Sequence, residues 1–408
     1  MLNLLKRNRN FTNYFLADII SGLGTGMSFI GINWYIIDQT SKNSNVGTFM
    51  GLNLFAGLIA FIFAGTLADR YNRKNILLFS NLFRGLLILL IAGLLYLDKD
   101  NMIMLFMIAI VSGFGWGLYM PASRSLVHEL LEQNDIVEGN SALEISLQIG
   151  TFLAGGASGF IYKWLGLSGI LLIDVSTYLL GAILLLNIKY KALTVTDRAS
   201  GFFTQFANGF RYLKANKVLF VLGVLSMVPS VIAVSTNVAL PGYIKDHLHG
   251  TTVALGISDM TYGIGAFLSG LIVGEVLKKV KRQKMVVILF TTASIVLLLL
   301  FFNTFILGLY LLYFLLGLSN TFLKITLSSV LMEFTAKEHF GRSMSVWLSL
   351  STIMQIIFSF VIGNIMDSFP AQFGYLTLAI GMVIGFVAYL TTISLISSSK
   401  SESKHLVA

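Results

Sequence analysis

The sequence predicts an all-α membrane protein with twelve transmembrane helices in two pseudo-symmetric six-helix bundles. Three observations predict this fold: the composition, the number of long apolar runs and the positions of the basic residues. The chain has 408 residues, of which 56% are hydrophobic and only 12% are charged, whereas about 25% of residues are charged in soluble domains. Because so few polar side chains could not cover a water-exposed surface, the predicted solvent is lipid.

Twelve apolar runs are long enough to serve as transmembrane spans, which need about twenty residues to cross roughly 30 Å of hydrocarbon. In the first half of the chain they are 11–37, 46–68, 75–96, 102–122, 141–162 and 168–188. In the second half they are 218–241, 254–277, 285–302, 305–327, 343–365 and 373–396. The first run is too long for the core of a signal peptide, so we expect a retained helix.

The spans divide the chain into three parts. Residues 1–188 are predicted to form the N-terminal bundle, and residues 218–408 the C-terminal bundle with a short cytoplasmic tail. The polar stretch 189–217 carries six Lys or Arg. Its aromatic residues at helical spacing are Phe202, Phe203, Phe206 and Phe210. This pattern predicts a cytoplasmic linker with an amphipathic helix at the membrane surface, with a solvated loop as the alternative.

The basic residues predict the orientation. If the N-terminus is cytoplasmic, inside segments hold 22 of the 28 Lys and Arg, because four lie in outside loops and two lie within spans. The positive-inside rule therefore places both termini in the cytoplasm. The net charge of +9 is spread over cytoplasmic loops and tails, so we expect no nucleic-acid partner.

Several kinds of chemistry lack the residues that they need. The chain has no cysteine, which excludes disulfides, thiolate nucleophiles and Cys-based metal sites. The sequence has no Gly-rich phosphate loop ending in Gly-Lys-Ser/Thr, no HExxH and no Ser-nucleophile elbow. The five histidines lie in predicted loops or in the tail. We expect neither an enzyme nor a protein that depends on a metal or cofactor.

The loop after the second span carries the most specific motif. It reads Gly65-Thr-Leu-Ala-Asp69-Arg70-Tyr-Asn72-Arg73-Lys74. Gly65 allows close helix approach, and Asp69 can accept from the N-terminal amides of a facing helix or pair with a cation. Arg70, Arg73 and Lys74 would hold the loop at the cytoplasmic surface. The alternative is a purely topological anchor, which would not require the Gly and Asp spacing.

This loop resembles the signature of the major facilitator superfamily, G-x-L-A-D-R-x-G-R-K, with Asn72 at the position of the second Gly. Further stretches in the N-terminal half resemble the bacterial macrolide-efflux and siderophore-exporter branch of that superfamily. They are Tyr119-Met-Pro121-Ala, Asn140-Ser-Ala-Leu143, Gln148-Ile-Gly150-Thr151-Phe-Leu-Ala-Gly155 and Ile173-Asp174-Val-Ser-Thr177. The resemblance implies a cytoplasmic gate in which the loop makes contacts in one transport state and breaks them in the other.

The resemblance also implies a function and a location. The expected function is secondary active export, as proton antiport by alternating access, of small amphipathic molecules such as drugs, macrolides or a siderophore-like metabolite. The expected partners are the substrate, protons and membrane lipid, and the expected form is a monomer in the bacterial plasma membrane. Trp116 could contact substrate in an aromatic cavity or serve only in packing. The alternatives are a solute importer, a lipid flippase, or a sensor or anchor without transport.

Ionisable groups inside spans are costly and therefore indicate functional sites. They are Asp18, Arg84, Glu144, Asp174, Asp259 and Lys324. A proton-coupled exporter needs a carboxylate that is protonated in one state and ionised in another, and Asp18 and Glu144 are the leading candidates. The alternative for Asp18 is a fixed ion pair with Arg84 at similar depth. Asp174 is expected to be structural, and Lys324 either functional or extended toward the membrane surface.

Overall fold

The computed structural model describes residues 2–97, 101–189, 202–335 and 337–405. The helices of the first half are α1 (Leu2–Arg7), α2 (Arg9–Thr40), α3 (Asn43–Arg70), α4 (Arg73–Leu97), α5 (Met102–Leu130) and α6 (Ile136–Leu186). Those that follow are α7 (Phe202–Ala215), α8 (Lys217–Gly242), α9 (Thr252–Lys279), α10 (Arg282–Phe302), α11 (Ile306–Phe334), α12 (Lys337–Ser368) and α13 (Phe373–His405). A short π-helical segment, Tyr243–His247, follows α8.

Eleven of the described helices are long and apolar enough to cross a membrane, and α6 contains two spans. Its 51 residues would extend about 77 Å if straight, at 1.5 Å per residue, which is more than twice the hydrocarbon thickness. The chain reverses at Gly166, where φ is 63° and ψ is −167°. This left-handed φ favours glycine because it has no Cβ. The predicted count of twelve spans and the predicted fold class are therefore confirmed.

Local side chains define where the first spans begin and end. Asn8 precedes α2 and its side chain accepts a hydrogen bond from the Phe11 amide at 3.0 Å, which satisfies one of the free amides of the first turn. Ser41, with φ of 50°, ends α2. Several helices extend past the predicted runs, as α5 does to Leu130. Hydropathy detects only the hydrocarbon-embedded part, whereas backbone hydrogen bonding continues into the more polar ends.

The two halves use the same pairwise packing. In the first half α2 packs on α6, α3 on α5, and α4 on both α5 and α6. In the second half α8 packs on α12, α9 on α11, and α10 on both α11 and α13. This correspondence, helix by helix, is the predicted pseudo-symmetry. The halves meet mainly through α6 against α9 and through α3 against α12.

A close helix approach joins the halves at α6 and α9. A Cβ at Gly155 would lie 2.8 Å from the Met260 nitrogen, which is shorter than ordinary contact distances. One turn further, the Thr252 hydroxyl donates to the Gly159 carbonyl at 3.2 Å. Small residues permit such approach, and this packing replaces a hydrophobic driving force that lipid cannot supply.

Helix α7 covers part of the predicted linker, and residues 190–201 of that linker lie outside the described residues. It packs mainly against α12. Leu213 is fully buried, and a Cβ at Gly209 would collide with the backbone of Arg342. An amphipathic helix is therefore present at 202–215, while its position on the membrane surface stays a prediction.

Candidate transport site

A cavity of about 300 Å³ lies between the two halves. Its walls come from α2, α4, α5 and α6 of the first half and from α8 and α9 of the second. Four of the candidate residues predicted from the sequence line it: Asp18, Arg84, Trp116 and Asp259. They come from four different helices, so the fold gathers charges that are far apart in the sequence into one chamber.

Asp18, on the α2 wall, is held by two hydroxyl groups. Its Oδ1 accepts a hydrogen bond from the Tyr119 hydroxyl at 2.9 Å, and its Oδ2 accepts one from Ser146. Tyr119 is on α5 and Ser146 is on α6, so three helices meet at this carboxylate. The arrangement fixes the Asp18 side chain at the cavity surface.

Arg84, on α4, is almost completely buried, with 1% of its surface exposed. It donates to the Asn81 side chain at 2.8 Å and to the Tyr178 hydroxyl at 3.3 Å. Its Cζ lies 4.3 Å from the centroid of the Tyr178 ring and 5.4 Å from that of Tyr119. These ring faces attract the guanidinium group electrostatically.

The predicted alternative for Asp18, a direct ion pair with Arg84, does not occur in this conformation. Within the described residues no carboxylate oxygen lies within the 4.0 Å ion-pair distance of Arg84. Tyr119 lies between the two groups, since its hydroxyl donates to Asp18 while its ring faces the guanidinium. The cation acts on Asp18 only through space.

Asp174 and Lys324 do not line the cavity. Asp174 is buried between α6 and α2, where a Cβ at Gly24 would lie 2.8 Å from its Oδ1. That oxygen has no hydrogen-bond partner in the described part of the chain, and Ser28 and Arg84 are the polar groups that face the carboxyl group. Lys324 is exposed on α11, which favours the interpretation that its chain extends toward the membrane surface.

Trp116 lines two cavities. It contributes to the central cavity and to a second one of about 220 Å³ between α3, α5 and α12. Its ring stacks on that of Tyr119, with centroids 6.4 Å apart and planes at 8°. Trp116 therefore packs on the same tyrosine that donates a hydrogen bond to Asp18.

The structure describes only part of the motif after the second span. The side chains of Asp69, Arg70 and Glu144 lie outside the described residues, and so do the surroundings of Gly65. Arg73 forms an ion pair with Glu129 at 3.0 Å, and only 8% and 9% of these side chains are exposed. Lys74 donates to the Leu186 and Ile188 carbonyls at 2.9 and 2.8 Å. These two basic residues bind neighbouring helices of their own half.

The opposite end of the bundle, here called the distal end, is formed by the chain connections at 41–42, 166, 243–251, 303–305 and 369–372. Here Lys245 pairs with Asp38 at 3.2 Å and donates to the Ile37 and Asp38 carbonyls at 3.0 Å. The Asp367 carboxylate accepts from the Asn43 and Ser44 amides at 2.5 and 3.1 Å. Both contacts join the two halves, so the cavity is closed off at this end.

Neutral polar residues complete the site, and because they carry no charge they could not be recognised in the sequence as the ionisable residues were. Tyr119 and Ser146 hold Asp18, while Asn81 and Tyr178 hold Arg84. Tyr and Ser are common in membrane helices, and each is unremarkable alone. Their spacing relative to Asp18 becomes meaningful only once the fold brings four helices together.

The twelve-helix fold, with a cavity between two pseudo-symmetric halves that carries a few charged side chains, has the architecture of a multi-pass membrane transporter. The sequence profile of the Major Facilitator Superfamily matches residues 14–238 and 230–406. The chain belongs to this superfamily. Its members transport small molecules, so the chain is a transporter rather than an enzyme.

Relatives include the MFS-type transporter YvqJ of Bacillus subtilis (strain 168), 24% identical over 315 residues that cover 74% of this chain and 73% of the relative. Macrolide efflux protein A of Enterococcus faecalis is 22% identical over 52% of this chain and 66% of its own. Enterobactin exporter EntS of Salmonella typhi is 22% identical over 39% of each chain.

Solved structures show the same fold at low sequence identity. Nucleoside transporter NupG superposes with a TM-score of 0.77 at 15% identity, covering 94% of this chain and 98% of that one. The D-xylose-proton symporter superposes with a TM-score of 0.71 at 15% identity, covering 94% and 96%. At such identities the likeness extends to the fold alone.

Proposed function

We propose that this transporter is a proton-driven exporter of small amphipathic molecules, working by alternating access of its two halves around the central cavity. The observation that supports it most is the placement of Asp18 on the wall of that cavity, where hydroxyl groups and a nearby cation surround it. A carboxylate in such a position can bind a proton from the cavity and release it there, both when the substrate is bound and when it is not. Binding of proton and substrate to one chamber gives a physical basis for their exchange.

Two further observations support export as the direction. The relatives include proteins named for macrolide efflux and enterobactin export. The basic residues favour cytoplasmic termini, and in that orientation the closed distal end faces outward. The cavity would then receive substrate from the cytoplasm or from the inner leaflet, as an exporter requires.

The motif of Gly65, Asp69, Arg70, Arg73 and Lys74 would form the cytoplasmic gate. Arg73 and Lys74 attach its basic end firmly to α5 and α6 of the first half. Asp69, on the last turn of α3, would then be free to act on the second half when the cytoplasmic side closes. Glu144 remains a second candidate for the proton carrier.

Replacing the Asp18 carboxyl with a neutral amide tests the coupling role. In Asp18→Asn the side chain stays nearly isosteric, but it can no longer exchange a proton. Uphill efflux driven by a pH gradient should fall at least about tenfold, whereas substrate exchange without a gradient should persist. The measurement is efflux per folded molecule in proteoliposomes at two external pH values. The substrate is chosen from an untargeted comparison of compound retention in cells with and without the protein.

Asp174→Asn is the matched control, because the same substitution is made at a buried carboxyl group behind the cavity wall. The efflux per folded molecule of Asp174→Asn should stay pH-dependent, as in the wild-type protein. Full gradient-driven efflux by well-folded Asp18→Asn protein would remove Asp18 from the mechanism and leave Glu144 as the next candidate. Accumulation instead of loss of the substrate would favour the importer, and no proton flux with any compound would favour a sensor.

A further inference from the structure

The two walls of the central cavity carry their charges in different ways. On the first-half wall, Asp18 accepts hydrogen bonds from Tyr119 and Ser146, and the guanidinium of Arg84 acts on it through space. On the second-half wall the only charged residue, within the described part of the chain, is Asp259. Among the described residues, the chamber thus has two carboxyl groups and one cation, and this cation acts on the carboxyl group of the first wall.

Asp259 has no polar partner of its own. Across the described residues it forms no hydrogen bond and no ion pair, and no cation acts on it. It is half-buried on α9, and it lines the cavity. A carboxylate held in a membrane interior without a partner is costly, so such groups usually face a ligand or an ion pathway.

The surroundings of Asp259 are aromatic rather than cationic. Phe29, Trp116 and Tyr119 line the same cavity from the first half, and Tyr262 lies beside Asp259 on α9. The Tyr262 hydroxyl accepts from the Asn320 side chain at 3.2 Å, so it is already engaged. Aromatic faces attract organic cations, and a desolvated carboxylate attracts them more strongly.

We infer that the cavity binds amphipathic organic monocations, with the Asp259 carboxylate as the counter-ion and the aromatic walls around the apolar body. This inference rests on the proposed transport function of the same cavity and adds the substrate class to it. Asp18 then holds the proton site and Asp259 the cation site, on opposite halves. Rocking of the halves would separate the two groups and so change the affinity for the substrate between states.

A matched pair of fluorescent probes tests the inference by equilibrium binding to the purified full-length protein. The cation is 4-(4-dimethylaminostyryl)-N-methylpyridinium, and the neutral counterpart is 4-(4-dimethylaminostyryl)pyridine at a pH where its ring nitrogen is unprotonated. The wild-type protein should bind the cation at least about tenfold more tightly than the neutral probe. Asp259→Asn should remove this preference, with less than about a twofold change for the neutral probe.

Two variants control for damage to the cavity. Asp259→Glu keeps the charge and should keep most of the preference for the cation. In the Asp259→Asn, Asn237→Asp double variant the carboxylate moves to α8 on the same wall, and part of the preference should return. Neither result requires a proton gradient, so they hold even if Asp18 is not the coupling residue.

Four outcomes would overturn the inference. In the first, the wild-type protein binds the cation no better than the neutral probe, or does not bind it at all. In the second, Asp259→Asn binds both probes as the wild-type protein does. Equal loss of both probes in well-folded Asp259→Asn would indicate a packing role. If cation binding persists in Asp259→Asn while gradient-driven efflux is lost, Asp259 is a proton carrier instead.

Discussion

Arg73 and Glu129 show how much a single buried contact contributes at the ends of the helices. They join α4 to α5 at 3.0 Å, and both side chains are more than nine-tenths buried. Removing one member of such a pair leaves a buried charge without its partner. Glu129 lies beyond the predicted fourth span, 102–122, and the structure places it on the last turn of α5.

We expect Arg73→Gln to destabilise the protein by roughly 3 to 5 kcal/mol, because the Glu129 carboxylate stays buried. The Arg73→Gln, Glu129→Gln double variant should recover much of that stability. The stability of both variants is measured by heating the purified protein and recording the temperature at which it ceases to be monodisperse. Lys278→Gln is the control, since its pair with Glu275 is 71% exposed and should contribute less than about 1 kcal/mol. Additive losses in the double variant would contradict the prediction.

The charged cavity residues were predictable from the sequence, and their connections were not. Asp18, Arg84 and Asp259 stand out because ionisable residues are rare inside spans. Similar depth in the membrane suggested contact between Asp18 and Arg84, but depth does not specify which way a side chain points around its helix. The ring of Tyr119 occupies the space between them, a fact that requires the packing of α5 against α2 and α4.

At the scale of helices, the distal end is held by contacts to helix termini. Both oxygens of Asp367, on the last turn of α12, accept from the first amides of α3. Lys245, in the π-helical segment after α8, donates to the last carbonyls of α2. The charges match the helix dipole, with an anion at an N-terminus and a cation at a C-terminus. Four helix ends from two halves are thereby joined.

Asp367→Asn should shift the molecule away from the conformation with a closed distal end. The single amide oxygen of Asn cannot accept both of the hydrogen bonds that the two carboxylate oxygens accept, and it carries no negative charge. A loss of about 1 to 2 kcal/mol would change the ratio of closed to open states about fivefold to thirtyfold. Spin labels on Lys163→Cys and Phe305→Cys, one in each half, report this ratio as a distance distribution in the cysteine-free background.

Glu275→Gln is the matched control for this measurement, because it removes one carboxylate charge from an exposed pair within α9. It should leave the distance distribution unchanged. An unchanged distribution in Asp367→Asn as well would mean that the close packing of α6 on α9, through Gly155 and Gly159, is enough to hold the distal end. The hydrogen bonds of Asp367 would then have only a local role.

Hydropathy predicted the helices well because lipid imposes both their length and their composition. The span containing Ser141 and the next one were predicted as separate, and the turn between them is a single residue, Gly166. The inter-half contacts could not be predicted in the same way. Asn43 and Asp367 are 324 residues apart in the chain, and neither has an unusual neighbourhood in the sequence.

At the scale of the whole molecule, the orientation in the membrane decides which side the closed distal end faces. If the termini are cytoplasmic, the contacts of Lys245 and Asp367 close the cavity to the outside. If the termini are outside, the same contacts would close the cavity to the cytoplasm. The helix packing alone does not specify which end faces the cytoplasm. The distribution of Lys and Arg favours the first.

Cysteine labelling in intact cells decides between them, because the chain has no native cysteine. Lys163→Cys lies beside the Gly166 turn at the distal end, and Ser200→Cys lies in the basic linker. A membrane-impermeant maleimide should label Lys163→Cys in intact cells, and it should label Ser200→Cys only after the membrane is permeabilised. The reverse pattern would overturn the predicted topology. The expected pattern would place the closed distal end outside, so that the chamber of Asp18 and Asp259 is separated from the outside and not from the cytoplasmic side, from which an exporter must collect its substrate.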